Sequence, residues 1–144
     1  MRFSGPLVRW AGVSVPRGCT YRCAVHKLES LQAWTNGRQL AREAYALTLT
    51  APLRQHFSLA DQIRRAATAV PANIAEGYAL VTRPQFLRCL RIALGSAAEL
   101  RTHLDLVVDL GLLEGGAIGA VRARCDREVG LLIGLMRSLD GRGP

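Results

Sequence analysis

The segment at residues 62–78 constrains the fold most, because it combines the spacing of a buried helix with an internal proline. Apolar residues recur there at the three- and four-residue intervals of one helix face, at Ile63, Ala66, Ala67, Val70 and Ile74. Pro71 lacks a backbone N–H and crowds the preceding turn, which costs about 3 kcal/mol inside a helix. We therefore predict a helix that kinks or restarts at Pro71.

Two polar residues follow the proline three positions apart, Asn73 and Glu76, so they share one face of the predicted helix. Ser96 and Glu99 have the same spacing on a later helical segment. Antiparallel packing would set the two pairs against one another, and buried polar groups need hydrogen-bond partners. We interpret the four residues as a structural polar network that fixes helix register. Catalysis by the paired carboxylates is the alternative, although no nucleophile, base and orienting group occur together.

Four segments have helical apolar spacing and no segment alternates at period two, so we predict an all-α fold without strands. The helices are expected at about residues 26–50, 58–78, 83–110 and 114–139, in an up-down-up-down four-helix bundle. Ser58 is the predicted N-cap of the second helix, and Thr82 with Gln85 is a predicted capping box for the third. Gly111 is the predicted C-terminal stop of the third helix.

Two aromatic residues of the first helix, Trp34 and Tyr45, fall on its apolar stripe and are predicted to lie in the core. This prediction argues against base stacking, because a stacking platform needs exposed aromatic rings. Gly37 interrupts the same helix and would cost about 1 kcal/mol relative to alanine at an exposed interior position.

The composition changes near Val25. Residues 1–24 contain several glycines and prolines, four arginines and no acidic residue, which predicts a basic, disordered N-terminal tail. We expect the bundle to occupy residues 25–140 and residues 141–144 to form a frayed C-terminal tail. One interpretation of the change is that natural translation begins near Val25.

The charge is strongly basic, with 19 basic and 11 acidic residues in 144 and a formal net charge of +8. Such an excess favours polyanions through phosphate contacts, and the alternative is a solvated surface or ion pairs between subunits. The candidate nucleic-acid-binding residues are Arg64, Arg65, Arg83, Arg88 and Arg91.

The remaining patterns predict no metal, no cofactor and no membrane. Cys19 and Cys23, with His26 nearby, lack the second ligand pair of a zinc site. No apolar run approaches the roughly 18 residues of a membrane span, and Arg9 interrupts the short apolar run of a potential signal peptide. We expect reduced thiols and a cytoplasmic protein.

Three motifs carry a resemblance to a known family: QIRRA at residues 62–66, VPANIAEG at residues 70–77 and ALGSAAEL at residues 93–100. They closely resemble the four-helix-bundle proteins encoded within intervening sequences of bacterial 23S ribosomal RNA genes. The likeness covers about residues 28–139. It implies a left-handed bundle that assembles into a pentameric ring, with a ribosome-related role.

The accessory proteins of diversity-generating retroelements resemble this family and share its fold. That relationship implies a basic barrel that binds a reverse transcriptase and nucleic acid. The chain departs from the family pattern at Arg101, where glutamate is common, and at Ser58, where glycine is usual.

Our leading functional hypothesis is a non-enzymatic, homo-oligomeric bundle that binds RNA, a ribonucleoprotein or other nucleic acid through a basic surface. One alternative is an accessory subunit of a retroelement reverse transcriptase. Another is an enzyme or cofactor binder that uses the Asn73, Glu76, Ser96 and Glu99 centre. With no recognition helix apparent, nucleic-acid binding should act through phosphates, be weakly sequence-selective and fall steeply with salt.

Overall fold

The structure is a computed structural model that describes residues 7–10, 13–16, 28–80 and 82–141. Its main elements are four α-helices: α1 (Gln32–Leu47), α2 (Phe57–Ala79), α3 (Arg83–Asp109) and α4 (Gly116–Leu139). A 3₁₀ turn at Leu53–Gln55 lies between α1 and α2. The predicted all-α, up-down-up-down four-helix bundle is confirmed.

Two clusters of buried apolar side chains fill the bundle, one in each half. The first includes Phe86 and Leu90, where α2 leads into α3, and the second includes Leu100 and Leu104, further along α3. Each cluster receives side chains from all four helices. Burying one large aliphatic or aromatic side chain contributes roughly 1.5–3 kcal/mol, so packing of these faces is the main source of helix stability.

The end of α3 is the one that the sequence predicts. Gly111 has a φ of 64°, a left-handed conformation that glycine adopts without steric cost. Its N–H donates to the Val108 carbonyl at 2.9 Å, and the Leu112 N–H donates to the Val107 carbonyl at 3.0 Å. These two bonds form a Schellman motif, which satisfies carbonyls that the helix end would leave without partners.

The beginnings of α1 and α2 differ from the predictions. α1 begins at Gln32 because its N-cap, Leu31, has extended backbone, and residues 26–27 lie outside the described part. The predicted N-cap at Ser58 is wrong, since α2 begins at Phe57. The His56 carbonyl already accepts a hydrogen bond from the Ala60 N–H at 2.9 Å, which places Ser58 inside the first turn.

The capping box of α3 forms only in part. Thr82 occupies the N-cap position with extended backbone, as predicted, and a proline follows in the first turn. Its hydroxyl donates to Oε1 of Gln85 at 2.6 Å and makes no capping bond to the backbone. The two side chains therefore pair with one another and leave the first N–H groups of the helix to solvent.

Pro71 lies inside α2, which is one continuous helix from Phe57 to Ala79. The helix does not restart at the proline, and the kink there stays a prediction. Nearby, Nδ2 of Asn73 donates to the Ala69 carbonyl at 2.7 Å. The amide of Asn73 is thus held by its own helix.

An N-terminal β-hairpin contradicts the prediction that the chain has no strands. β1 (Leu7–Trp10) pairs antiparallel with β2 (Val13–Pro16), with Trp10 opposite Val13. Alternation extends over only Val13, Ser14 and Val15, which is shorter than the usual strand signal of four to eight residues. The rest of the predicted tail at residues 1–24, and residues 142–144, lie outside the described residues.

Candidate functional site

The four residues of the predicted polar network do not form a cluster in a single chain. Asn73 and Ser96 are half-buried, whereas Glu76 and Glu99 are exposed. Oε1 of Glu99 lies 3.5 Å from Nε2 of His103, one turn along α3. Within the described residues, no hydrogen bond or ion pair joins any two of the four. Their role in packing stays a prediction.

A different polar cluster joins α1 and α4, and its centre is Glu128. This side chain is fully buried, with an exposed fraction of 0%. Nδ2 of Asn36 donates to Oε2 of Glu128 at 2.7 Å. Oε1 of Glu128 has no hydrogen-bond partner in the part of the chain that the structure describes. The carboxyl is therefore only half satisfied.

Burial raises the pKa of Glu128 to about 7, and the hydrogen bond from Asn36 opposes that rise only in part. A substantial fraction of this carboxyl is therefore protonated at neutral pH. Gly37 on α1 makes the close approach feasible, because a Cβ there would lie 3.3 Å from both Oε1 of Glu128 and Cγ1 of Val70. The glycine that the sequence presents as an interruption is thus buried at a contact between α1 and α4.

The cluster continues outward through Arg124. Nη1 of Arg124 donates to Oδ1 of Asn36 at 3.2 Å, and its Nε donates to Oε2 of Glu43 at 2.7 Å. Gln39 donates to the other oxygen of Glu43 at 2.8 Å. Burial acts to raise the pKa of Glu43, but the bonds from Arg124 and Gln39 and the arginine charges outweigh it, so the pKa is lowered.

Two carboxyls with opposite pKa shifts are a pattern found in acid–base catalysis. Here, however, Glu128 has no surface that a substrate can reach. The arrangement fits a cross-link between two helices. One sequence signal for it exists: Glu128 falls between Cys125 and Leu132 at helical spacing on the buried face of α4.

A second ionic cluster, on the surface, joins α3 to α4. Arg101 pairs with Asp105 one turn away and with Asp126 of α4, whose Oδ1 lies 2.9 Å from its Nε. Nη2 of Arg122 lies 2.7 Å from Asp105. Hydrogen bonding to Arg101 lowers the pKa of Asp105. Arg101, one of the departures from the family pattern, thus has carboxylate partners within its own chain.

The five candidate nucleic-acid-binding arginines separate into two groups. A Cβ at Gly77 would lie 2.6 Å from Cβ of Cys89, so the end of α2 packs against the start of α3. Three of the candidates lie there, at Arg83, Arg88 and Arg91.

The other two candidates, Arg64 and Arg65, lie about 12 residues before Gly77, or roughly 18 Å along α2. Arg64 is half-buried and the other four arginines are exposed. None of the five forms an ion pair within the described residues.

Net positive charge is concentrated in one half of the bundle, which we call the α2–α3 end: residues 28–40, 70–80, 82–96 and 127–141. It contains the arginines Arg38, Arg83, Arg88, Arg91, Arg127 and Arg137. The carboxylates there are Glu29, Glu76 and Asp140, together with the buried Glu128. The opposite half has seven arginines and seven carboxylates. The excess arginines therefore lie at the α2–α3 end.

The described residues offer no metal site, since no three His, Cys, Asp or Glu side chains there are grouped to hold an ion. Cys19, Cys23 and His26 lie outside them. Burial raises the pKa of Cys125 to about 12, and its thiol donates to the Ala97 carbonyl at 3.3 Å. No helix in the described part is long and apolar enough to span a membrane.

These features define a small, basic four-helix-bundle protein with a buried polar cross-link and a net positive charge at the α2–α3 end. Residues 29–134 match the model of the family described as 23S rRNA-intervening sequence protein. Because the match covers most of the chain, the protein belongs to this family. A comparison with curated proteins finds no match. The relationship to retroelement accessory proteins stays a prediction.

Proposed function

We propose that the protein is a non-enzymatic, homo-oligomeric bundle that binds RNA or a ribonucleoprotein through its α2–α3 end. The observation that carries the proposal is the excess of exposed arginines there, of which Arg88 and Arg91 are one helical turn apart on α3. Arginine without a carboxylate partner is well suited to phosphate, because its guanidinium group offers several donors in a fixed plane.

Exposed apolar side chains on α3 support self-association. Ile92 and Leu106 are 45% and 42% exposed, and their spacing of 14 residues is close to four helical turns. They therefore lie on one face, which a second copy of the chain would cover. A pentamer, as the family resemblance implies, would bring five positively charged α2–α3 ends together and strengthen the attraction for a polyanion.

Binding of this kind contacts the phosphates and leaves the base edges unread. Each neutralised phosphate releases counterions, so affinity should fall steeply with salt and depend little on sequence. The test is a filter-binding titration of RNA at several salt concentrations, with the oligomeric state measured by light scattering.

Arg88→Gln with Arg91→Gln should weaken RNA binding about tenfold or more and reduce the slope of log affinity against log salt by about 2. The matched control is Ala117→Glu with Ala123→Glu, which lowers the net charge by the same amount at exposed positions in the opposite half. This control should cost much less affinity, because its charges are far from the α2–α3 end.

Deletion of residues 1–24 controls for the basic N-terminal segment and should leave most of the binding in place. Equal losses in the two double variants would contradict a localised interface. No binding at low salt with an intact oligomer would overturn the nucleic-acid role and leave a scaffold for a protein partner, such as a reverse transcriptase.

A further inference from the structure

A second surface lies where the outer face of α1 meets the first half of α2, and it overlaps the α2–α3 end only at Trp34 and Arg38. We call it the aromatic–arginine strip. Its residues are Trp34, Arg38, Arg42, Tyr45, Phe57 and Arg64. Its α1 members recur every three or four residues and extend about 16 Å along the helix, at Trp34, Arg38, Arg42 and Tyr45.

Arg64 is the most rigidly held member of the strip. Its Nε donates to Oγ1 of Thr48 at 2.8 Å, and its Cζ lies 4.9 Å from the centre of the Tyr45 ring. Thr48 is fully buried, and its own hydroxyl donates to the Tyr45 carbonyl at 2.6 Å. The hydrogen bond to Thr48 thus holds one edge of the Arg64 guanidinium group, and the Tyr45 ring covers one of its faces. Its two Nη groups have no partner within the described residues.

The strip repeats this pairing at its other end, where Cζ of Arg38 lies 4.7 Å from the centre of the Trp34 ring. Arg42 stands between the two pairs, one turn or about 6 Å beyond Arg38. No ion pair neutralises Arg38, Arg42 or Arg64 within the residues that the structure describes. The strip is therefore a row of positive charge backed by aromatic rings.

The nearby carboxylates form no ion pair with the arginines of the strip within the described residues. Glu43 lies on the α4 side of α1 and is bound to Arg124. Asp61 is exposed one turn before Arg64 and Arg65 on α2, and no ion pair joins it to either arginine.

Two aromatic rings of the strip are open to solvent. Tyr45 is 45% exposed and Phe57 is 81% exposed, so the prediction that Tyr45 belongs to the core is wrong. Tyr45 lies at the edge of the apolar stripe of α1, beneath Arg64 and outside the buried clusters. An exposed ring beside unneutralised arginines is the combination with which proteins hold unpaired bases.

We propose that the aromatic–arginine strip binds single-stranded nucleic acid. An unpaired base stacks on the outer plane of Arg64 or on Phe57, while the free Nη groups of Arg64 and the side chain of Arg42 hold phosphates. A duplex cannot use the strip in this way because its bases are stacked on one another. The inference rests on the proposed function in taking the ligand to be nucleic acid, and it adds a preference for single strands.

The experiment compares a single-stranded RNA, a single-stranded DNA and a duplex RNA of equal length by fluorescence anisotropy. Tyr45→Ala with Phe57→Ala should weaken binding of both single strands roughly tenfold or more. Binding of the duplex should change little. Both rings are exposed, so the variant should fold, and thermal unfolding confirms this.

Arg64→Lys tests whether the fixed guanidinium matters, because it retains the charge but loses the planar group that stacks on Tyr45 and bonds Thr48. We expect this variant to bind single strands several-fold more weakly. The matched control, Arg54→Lys, changes an exposed arginine outside the strip that has no such contacts within the described residues and should bind like the parent.

The outcomes separate this inference from the proposed function. Equal affinity for single strands and duplex, unchanged in the double aromatic variant, would overturn the proposal that the strip binds single strands. It would leave the proposal of phosphate binding at the α2–α3 end intact. No binding of any nucleic acid would overturn both. A loss in only one of the two single strands would assign the site to RNA or to DNA.

Discussion

At the scale of single residues, Glu128 has the most unusual environment among the described side chains. It is a carboxyl in the core, bonded by Asn36 on one oxygen and without a hydrogen-bond partner among the described residues on the other, which lies near Gly37. An ionised carboxylate there would lack the hydrogen bonds and solvent that normally stabilise its charge. The folded state is therefore more stable when Glu128 is protonated and neutral.

The pKa of Glu128 predicts an unusual pH dependence of stability. Its folded value of about 7 exceeds the reference value of 4.5, so between these limits the folded state binds a proton that the unfolded state has released. The stabilisation is complete below pH 4.5 and is lost as the pH rises through 7, by up to about 3 kcal/mol. Urea unfolding at pH 5 and pH 8 measures the change.

Glu128→Gln should remove most of this dependence and be more stable than the parent at pH 8, because glutamine stays neutral. Glu114→Gln, at an exposed carboxyl, is the control and should keep the parental dependence. The lowered pKa of Glu43 acts in the opposite sense, since its stabilisation is lost as the pH falls below about 4.5, outside the measured window. A Glu128→Gln variant with the parental pH dependence would contradict this account.

At the scale of helices, Gly77 determines how closely α2 approaches α3. A Cβ there would lie 2.6 Å from Cβ of Cys89 and 2.9 Å from Cδ2 of Phe86, which is closer than carbon atoms pack. The VPANIAEG motif therefore ends in glycine for a steric reason that the structure identifies.

Gly77→Ala should destabilise the protein by about 1–3 kcal/mol, because the two helices must separate to admit the methyl group. The control is Gly95→Ala on α3, where a Cβ meets nothing within 4 Å. This control should stabilise the protein by about 0.5–1 kcal/mol, because alanine is the better helix former. Thermal unfolding of both variants measures the two changes in stability. A Gly77→Ala variant as stable as the parent would contradict the close packing.

The sequence alone predicts the positions of the helices well, and the burial of individual side chains on them less well. Apolar spacing revealed all four helices, and Gly111 marked the end of α3 correctly. Spacing could not tell the centre of a stripe from its edge, which depends on where neighbouring helices lie. Spacing therefore predicts Tyr45 in the core, whereas the structure exposes it. Spacing gives no role to Glu128, whereas the structure buries it.

The candidate site shows the same limit. The sequence identified arginines as candidate ligands for polyanions, but only the antiparallel packing shows that Arg64 and Arg88 lie in different halves of the bundle. Likewise, the pairing of Asn36 with Glu128 joins residues 92 positions apart, which spacing along one helix cannot reveal.

At the scale of the whole molecule, the proposed self-association would multiply the charge of the α2–α3 end. Ile92→Glu with Leu106→Glu should dissociate the proposed oligomer, because it places two carboxylates on the apolar face of α3. Light scattering at several concentrations measures the mass. Leu49→Glu, at an apolar side chain in the turn after α1 that is 57% exposed, is the control and should leave the oligomer intact.

If the α3 variant keeps the parental mass while the Leu49 control dissociates, the interface lies at the turn after α1 instead. That result would also place the aromatic–arginine strip within reach of a neighbouring subunit, and the strip would then have to be tested in the dissociated variant.

Because the bundle has four helices and successive helices are antiparallel, α1 begins and α4 ends at the same end of the bundle. The first residue of α1, Gln32, and the last residue of α4, Leu139, both lie at the α2–α3 end. Any segment joined ahead of α1 is therefore tethered to the end that carries the excess positive charge, which raises its local concentration there. A fusion partner or purification handle attached at either terminus would be tethered to the same end and would compete with the proposed RNA ligand for it.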